Sequence, residues 1–253
     1  MAPAPTTVVV IPCFDEADRL DVDGFLAFVR GWPQGRLLFV DDGSQDGTRA
    51  VLEKLVAQEP RGCALLALPR NHGKAEAVRQ GMLSAFALQP DLAGYWDADL
   101  ATPLAVIPLF ERMLAERPAC DLVMGSRVRL LGRSIVRRPA RHYLGRVFAT
   151  AASLLLAIPV YDTQCGAKLL RVNPATRELF REPFRSRWIF DVEILLRQAT
   201  AARRSGVDPE AKTYEVPLET WRDVGGSKLR ATDLARVLVD LGHLLAERRR
   251  STR

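Results

Sequence analysis

The chain has 253 residues, of which 48% are hydrophobic and 26% are charged, and its formal net charge is +6. This length and composition are typical of one large globular domain, and they exclude a disordered chain, a collagen-like repeat and a small disulfide-bonded fold. The four cysteines lie far apart with no C-x-x-C pair, so we expect reduced thiols in a cytoplasmic protein and no cysteine-rich zinc site.

The first half of the chain alternates short apolar runs with segments of helical periodicity. The runs predict strands buried on both faces at residues 8–11, 37–40, 63–68, 94–96 and 122–124. Helical patterns follow at residues 18–30, 49–58 and 75–88, and a further helix is predicted from Pro103. This repeated order of strand, loop and helix predicts an α/β fold with a mostly parallel sheet and helices on both faces.

The second half is less regular. It contains a basic loop up to residue 141, an apolar segment at 147–160, a predicted helix at 190–202, a predicted strand at 214–218, a glycine-containing loop at 224–228 and a closing helix at 232–247. No repeat or linker interrupts the chain, so we predict a single domain over residues 1–230, followed by an amphipathic helix and basic tail over 231–253. No apolar stretch reaches the roughly 18–20 residues that span a bilayer.

Polar and charged side chains stand where the predicted strands end. They are Asp15, Asp41, Asp42, Lys74, Asp97, Asp99 and Arg127. Because ligands of open α/β sheets bind beyond the carboxyl ends of the strands, we expect these residues to converge on one edge of the sheet.

Two acidic strand ends allow more than one interpretation. Asp97 and Asp99 would repel each other unless a cation lay between them, and their hard oxygen ligands favour Mg²⁺ or Mn²⁺. Such an ion could bridge the phosphates of a nucleotide, whereas the alternative is a surface turn with two solvated acids. The segment at 41–44 could bind a nucleobase or ribose, or it could form an Asx turn before a helix cap.

A second cluster is basic. Seven arginines fall between residues 127 and 146, which predicts an anionic partner such as nucleic acid, phospholipid or a phosphorylated substrate. The sequence lacks G-x-x-x-x-G-K-[ST], a G-x-G-x-x-G after the first strand, and G-x-S-x-G. These absences argue against kinase-type, dinucleotide-binding and ordinary hydrolase functions.

Four ordered motifs resemble the family 2 glycosyltransferases. They are VVIPCFDE at 9–16, DDGSQDGT at 41–48, NHGKAEAVRQGM at 71–82 and DADLATP at 97–103. More narrowly, four others resemble the dolichyl-phosphate β-glucosyltransferases and their bacterial polyprenyl-phosphate relatives: GSR at 125–127, DTQCGAKL at 162–169, RWIFDVEIL at 187–195 and WRDVGGSKLR at 221–230. The resemblance implies the Rossmann-like GT-A fold, a nucleotide-sugar donor and a divalent cation.

The implied activity is inverting, metal-dependent transfer of a hexose, in first place glucose from UDP-glucose, to a polyprenyl or dolichyl phosphate. Two alternatives stay open, namely a soluble hydroxyl acceptor and a GDP-mannose-dependent polyprenyl-phosphate mannosyltransferase. A nucleic-acid-binding module would leave the paired aspartates unexplained, so we expect no nucleic-acid partner.

The resemblance also implies roles for individual residues. Nucleotide-sugar contacts are expected from Pro12, Asp15, Asp42, Lys74, Asp97, Arg222, Ser227 and Lys228, the last three lying in a lid with a hinge at 225–226. Asp99 is the expected metal ligand, and water would fill the site because Ala101 stands where relatives often carry Gln or Gly. Catalytic roles are expected for Asp97, Asp162 and Asp191, the last two as bases toward a hydroxyl acceptor. An ordinary polar helix face is the alternative for Asp191 and Glu193.

An acceptor phosphate is already anionic near neutral pH, so it requires guanidinium groups and no strong base. Arg127, Arg138 and Arg141 are the candidates, of which the resemblance favours Arg127 and Arg141. The sequence enters the first strand without the membrane anchor of eukaryotic relatives. We therefore expect peripheral binding to the cytoplasmic membrane face through residues 147–160 or 233–250, unless these segments pack in the core or in a homodimer.

Overall fold

The computed structural model describes residues 5–136, 139–222, 240, 242, 244 and 245, and of residues 136 and 139–147 it describes the backbone alone. The strands are β1 (Thr7–Cys13), β2 (Gly35–Asp41), β3 (Cys63–Ala67), β4 (Leu92–Trp96), β5 (Leu122–Ser126), β6 (Ser134–Val136), β7 (Ala167–Arg171), β8 (Thr213–Pro217) and β9 (Thr220–Arg222). The α-helices are α1 (Val22–Arg30), α2 (Thr48–Gln58), α3 (Lys74–Ala87), α4 (Ile107–Glu116), α5 (Pro139–Leu156), α6 (Pro174–Glu178) and α7 (Phe190–Arg204). Short 3₁₀-helices cover Leu104–Val106 and Pro209–Lys212.

The main sheet has seven strands in the order β3-β2-β1-β4-β7-β5-β8. Its neighbours pair in parallel, except that β7 runs antiparallel to both β4 and β5. The strands β6 and β9 form a separate parallel pair. The predicted α/β fold with a mostly parallel sheet is therefore confirmed.

Helices cover both faces of this sheet. Successive side chains of β1 point to opposite faces. Val8 and Val10 pack in one apolar cluster with α3 and α7, whereas Val9 and Ile11 pack in the other with α1, α2 and α4. Because both faces are covered, the strand ends are the part of the sheet that can meet a ligand.

Helix α3 lies directly against the sheet at its middle. A Cβ at Gly81 would lie 2.3 Å from Cγ1 of Val10, so the helix can approach this closely only with glycine there. This packing fixes the axis of α3, and its first residue, Lys74, stands at the carboxyl end of the neighbouring strands.

Strand β7 is absent from the pattern-based prediction, as are β6, β9 and α6. Its sequence AKLLR contains Lys168, which is completely buried. A charged residue interrupts the continuous apolar run that identifies the other strands of this sheet. The local sequence pattern therefore predicts neither the position nor the antiparallel direction of β7.

The two segments proposed for membrane binding contribute to the core. In the first, Ala152, Leu155 and Leu156 of α5 are buried, whereas Leu154 is 73% exposed. Near the C-terminus, Leu244 is buried in the same cluster as α3 and α7, and Asp240 accepts a hydrogen bond from Ser186 Oγ. Most of residues 231–253 lies outside the described residues, so the amphipathic helix and basic tail stay predictions. Over the described part of the chain, the structure has no helix whose length and hydropathy suit a membrane span.

Candidate active site

The carboxyl ends of the central strands meet at one edge of the sheet. The backbone N–H of Asp42, just after β2, donates to the carbonyl of Cys13 at the end of β1 at 2.9 Å. Lys74 Nζ donates to the carboxylate of Asp97, which directly follows β4. The structure therefore brings together side chains that come from separate loops of the chain.

Asp42 connects the end of β2 to the loop that precedes α3. Its two carboxylate oxygens accept the backbone N–H groups of His72 and Gly73, each at 2.8 Å. Burial raises the pKa of Asp42, although the two hydrogen bonds oppose this shift. Gly73 has a φ of 93°, and a Cβ there would lie 2.8 Å from guanidinium nitrogens of Arg187, so this loop conformation requires glycine.

The alternative interpretation of the 41–44 segment, an Asx turn before the start of a helix, applies to two acids on either side of Asp42. Asp41 Oδ1 accepts the N–H of Ser44 at 3.0 Å within the turn. Asp46 Oδ1 accepts the N–H of Thr48 at 2.8 Å at the start of α2. The turn and the helix start are thus served by Asp41 and Asp46, while Asp42 reaches across to another loop.

Asp15 and Pro12 lie at the adjacent strand end. Asp15 has a φ of 49°, a left-handed conformation that residues other than glycine adopt rarely and often at functional sites. Its Oδ1 accepts the N–H of Gln45 at 2.8 Å, and its own N–H donates to Ser44 Oγ at 3.1 Å. Pro12 is half-buried in β1. The two residues predicted to contact a nucleotide therefore stand beside the Asp42 loop.

Asp97 and Asp99 form a carboxylate pair that suits a hard divalent cation. Burial raises the pKa of Asp99, and the charge of Asp97 raises it further. Burial lowers the pKa of Lys74, but the charges of Asp97 and Asp191 outweigh this and the pKa is raised overall, so the amine is charged. Among the described residues no group of three His, Cys, Asp or Glu side chains could hold a metal ion. The described residues would therefore supply at most two carboxylate ligands to a cation at this site.

Arg127, which follows β5, is held by Asp162 in a two-pronged ion pair. Its Nε and Nη2 donate to the two carboxylate oxygens at 2.6 and 2.7 Å. Burial lowers the pKa of Arg127, but Asp162 outweighs it and the pKa is raised, so the guanidinium is permanently charged. Asp162 itself is 6% exposed, and its backbone N–H and that of Tyr161 donate to Glu215. With both oxygens engaged, Asp162 is better placed to hold Arg127 than to act as a base.

Lys168 is a site-adjacent residue that the sequence patterns did not single out. Its Nζ donates to Asp191 Oδ1 at 2.6 Å and to the carbonyls of Cys165 and Thr163 at 2.7 and 3.1 Å. The hydroxyl of Tyr95 also donates to Asp191 Oδ1 at 2.6 Å, and burial raises the pKa of Tyr95 well above its usual value. This network joins β4, β7 and α7 behind the carboxylate edge.

The alternative of a solvated polar helix face is wrong for Asp191 and Glu193. Asp191 is 4% exposed and Glu193 is 2% exposed. Glu193 accepts Arg197 Nη2 at 2.7 Å and the N–H of Arg185 at 3.0 Å. The signal that could have revealed the network is Lys168 itself, because a lysine within an otherwise apolar strand requires a buried acid as its partner.

The remaining predicted residues divide into described and undescribed positions. Arg222 is exposed at the end of β9, and its N–H donates to the carbonyl of Ala101 at 3.4 Å, so β9 runs beside the Asp97–Asp99 segment. Ser227, Lys228, Arg138 and the side chain of Arg141 lie outside the described residues. The lid and the further acceptor arginines therefore stay predictions.

A family model described as glycosyl transferase family 2 matches residues 8–177, which is more than half of the chain. The chain belongs to this family. The family predicted from the motifs is thereby confirmed. This glycosyltransferase is 32% identical to a dolichyl-phosphate beta-glucosyltransferase of Drosophila melanogaster, over 90% of this chain and 70% of the relative. It is 29% identical to one of Trichomonas vaginalis, over 93% of this chain and 69% of the relative.

The fold of this glycosyltransferase is similar to that of solved enzymes. A crystal structure of glucosyl-3-phosphoglycerate synthase from Mycobacterium tuberculosis, in complex with Mn²⁺ and UDP-glucose, matches with a TM-score of 0.65 and 20% identity. The match covers 96% of this chain and 79% of that one. The likeness supports the GT-A architecture that the motifs predicted.

Proposed function

We propose that this glycosyltransferase transfers glucose from UDP-glucose to a polyprenyl phosphate, with inversion at the anomeric carbon and with Mg²⁺ or Mn²⁺ at the donor site. The observation that carries the proposal is that an arginine, Arg127, stands at the same sheet edge as Asp97. Asp162 holds Arg127, and four residues after Asp162 the carbonyl of Gly166 accepts the N–H of Asp97 at 3.0 Å. The names of the relatives support the acceptor class and the sugar. A peripheral position on the cytoplasmic face of a membrane belongs to this proposal.

The donor would bind along the strand ends. Asp15, Pro12 and Asp42 form the part assigned to the nucleoside, and their loops are already tied together by the hydrogen bonds to Ser44, Gln45, His72 and Gly73. Asp97 and Lys74 lie on the side toward β4, where the sugar and phosphates are expected. Lys74 can hold negative charge there because its pKa is raised and its amine stays protonated.

A divalent cation fits the carboxylate pair. Asp97 and Asp99 carry oxygen ligands of the type that Mg²⁺ and Mn²⁺ prefer. Burial raises the pKa of Asp99 and the charge of Asp97 raises it further, and a cation would compensate this second effect. When bound, the ion would stabilise the charge that develops on the leaving diphosphate. The structural neighbour that was crystallised with Mn²⁺ and UDP-glucose supports this assignment.

The acceptor would be oriented by Arg127. Its two contacts to Asp162 use one N–H each of Nε and Nη2, and a guanidinium carries five N–H donors, so further donors remain for a phosphate. A phosphate oxygen is already anionic near neutral pH, so attack on the anomeric carbon needs positioning and charge neutralisation and no strong base. In-line attack opposite the leaving diphosphate would give a β-linked sugar phosphate.

The direct test is transfer of labelled sugar to a short polyprenyl phosphate, with UDP-glucose or GDP-mannose as donor, in Mn²⁺ or in excess chelator. We expect a labelled lipid phosphate from UDP-glucose that disappears with chelator. Label from GDP-mannose alone would contradict the donor. UDP-glucose binding without lipid product, combined with label in a soluble hydroxyl acceptor such as 3-phosphoglycerate, would contradict the acceptor.

Gly166→Ala should lower kcat/KM by about 100-fold, because misplacing a reacting group by about 1 Å costs that much. A Cβ at Gly166 would lie 1.9 Å from Asp97 Oδ2, so the carboxylate must move. The measurement is steady-state transfer with UDP-glucose. Gly47→Ala is the matched control, since its Cβ would meet only Ala17 Cβ at 3.6 Å. Equal activity of the two variants would contradict the role of Asp97.

Arg127→Lys should raise the KM for the acceptor by about 10- to 100-fold while leaving the Kd of UDP-glucose unchanged. Lysine keeps the charge beside Asp162 but cannot form the two-pronged contact or orient a phosphate through a planar group. Initial rates against acceptor concentration and donor titration calorimetry give the two quantities. Arg61→Lys is the control, because Arg61 is exposed and stands just before β3, at the opposite end of the sheet. Loss of donor affinity with an unchanged acceptor KM would contradict the assignment.

A further inference from the structure

The turn between β5 and β6 projects two adjacent leucines into solvent. Leu131 is fully exposed and Leu130 is 45% exposed. The turn is closed by the N–H of Arg133, which donates to the carbonyl of Leu130 at 3.2 Å, and Gly132 takes a φ of 80°. Arg133 Nη1 also donates to the carbonyl of Pro217 at 2.7 Å, which anchors the base of the turn to the end of β8.

The segment of sequence that contains this turn carries charge of one sign. Between Asp121 and Asp162 the sequence contains seven arginines and no acidic residue. Within the described turn, Arg129 is exposed beside the leucines. Single exposed leucines are ordinary on protein surfaces, but a pair at the tip of an anchored basic turn has the composition of elements that enter the interface of an anionic bilayer.

The turn also stands next to the candidate active site. Leu130 follows Arg127 by three residues, and β6, which begins after the turn, pairs with β9. Strand β9 in turn contacts the carbonyl of Ala101, two residues after Asp99. A surface that bound this turn would therefore lie beside the edge that carries the donor and acceptor groups.

We propose that the turn Leu130–Arg133 docks the enzyme on an anionic lipid bilayer. Leu130 and Leu131 enter the interfacial region, and Arg129 contacts the phosphates of the headgroups. This inference rests on the proposed function in one respect: the docked bilayer is also the source of the polyprenyl phosphate, whose headgroup would then lie at the depth of Arg127. The attraction of the turn to anionic lipid itself depends only on its own residues.

The test is sedimentation of the full chain with vesicles of phosphatidylcholine alone or mixed with phosphatidylglycerol. We expect binding to the mixed vesicles, and a double variant Leu130→Ser with Leu131→Ser should lower the partition coefficient at least about tenfold. Leu88→Ser is the matched control, because Leu88 is also an exposed leucine, at 51%. It follows the C-terminal end of α3, whereas the N-terminal end of that helix, Lys74, lies at the candidate active site. Since these side chains are exposed, the thermal unfolding midpoint of both variants should equal that of the wild type.

Two outcomes would overturn the docking proposal. One is equal vesicle binding by the double variant and the wild type. The other is a change from dimer to monomer in the double variant with unchanged vesicle binding, which would identify the turn as a contact between copies of this chain.

Transfer assays separate this proposal from the proposed function: the double variant should lose activity on a long acceptor embedded in vesicles and keep it on a short, water-soluble isoprenyl phosphate. Turn-dependent vesicle binding by a wild type that glycosylates neither acceptor would support docking and contradict the proposed function.

Discussion

Lys168→Met should lower the free energy of unfolding by about 3–5 kcal/mol, because it leaves a buried carboxylate without its cation. Lys168 is completely buried and donates to Asp191 at 2.6 Å. Its amine also ties the carbonyls of Thr163 and Cys165 to the same point, so the 162–166 segment would lose its anchor together with the ion pair. Urea unfolding followed by tryptophan fluorescence measures the effect.

Two comparison variants make this prediction specific. Arg112→Met removes an exposed arginine whose partner, Glu116, is also exposed, and it should change the free energy of unfolding by no more than about 0.5 kcal/mol. Lys168→Met combined with Asp191→Leu removes both charges and should recover about half of the loss, since an apolar pair can replace a buried ion pair. A cost for Lys168→Met as small as that for Arg112→Met would show that the network does not stabilise the fold.

Asp99→Asn should reduce transfer by about 1,000-fold or more and abolish the metal-dependent part of UDP-glucose binding, because it removes a charged ligand where the diphosphate charge must be stabilised. The fold should survive. Asparagine keeps an oxygen that can accept the N–H of Ala101, a bond of 3.0 Å. Burial and Asp97 raise the pKa of Asp99 above its unfolded value, so the charge of Asp99 destabilises the folded chain relative to the unfolded chain at neutral pH. The variant should therefore melt no earlier than the wild type.

Calorimetric titration of UDP-glucose in Mn²⁺ and in chelator, together with a thermal melt, tests this expectation. Asp23→Asn, in the first turn of α1, is a control that removes a carboxylate away from the strand ends. Asp99→Asn with the same Mn²⁺-dependent gain in donor affinity as Asp23→Asn would contradict the metal assignment. A loss of donor affinity that is equal with and without Mn²⁺ would instead indicate a role for Asp99 in direct contact with the donor.

The convergence of the acidic strand ends could be predicted from the sequence because it depends on one rule. Consecutive parallel strands joined by helices all end at the same edge, so the strand–helix order places Asp42 and Asp97 at one edge of the sheet. The contact between Asp97 and Lys74 follows from the same order, since α3 begins at that edge. Local residue patterns were sufficient for this part of the site.

The ion pairs of the second half could not be predicted in the same way. The sequence predicts different roles for Arg127 and Asp162, phosphate binding for one and base catalysis for the other, yet the structure joins them in one contact at 2.6 Å. Lys168 and Asp191 pair because β7 enters the sheet against the direction of its neighbours. Both pairings depend on which strand lies beside which, and that is settled by tertiary packing over the whole chain.

The antiparallel strand β7 has a consequence for how the chain assembles during synthesis. It fills the space between β4 and β5, two strands that are made earlier and are separated by it in the finished sheet. Until residue 171 is available, β4 and β5 each present an open edge with unpaired backbone groups toward the other. A nascent or truncated chain that stops before Ala167 also lacks β8, so it carries the sheet β3-β2-β1-β4 with an unpaired edge at β4 and β5 as a lone strand. Unpaired strand edges of this kind are where intermolecular strand pairing and aggregation begin.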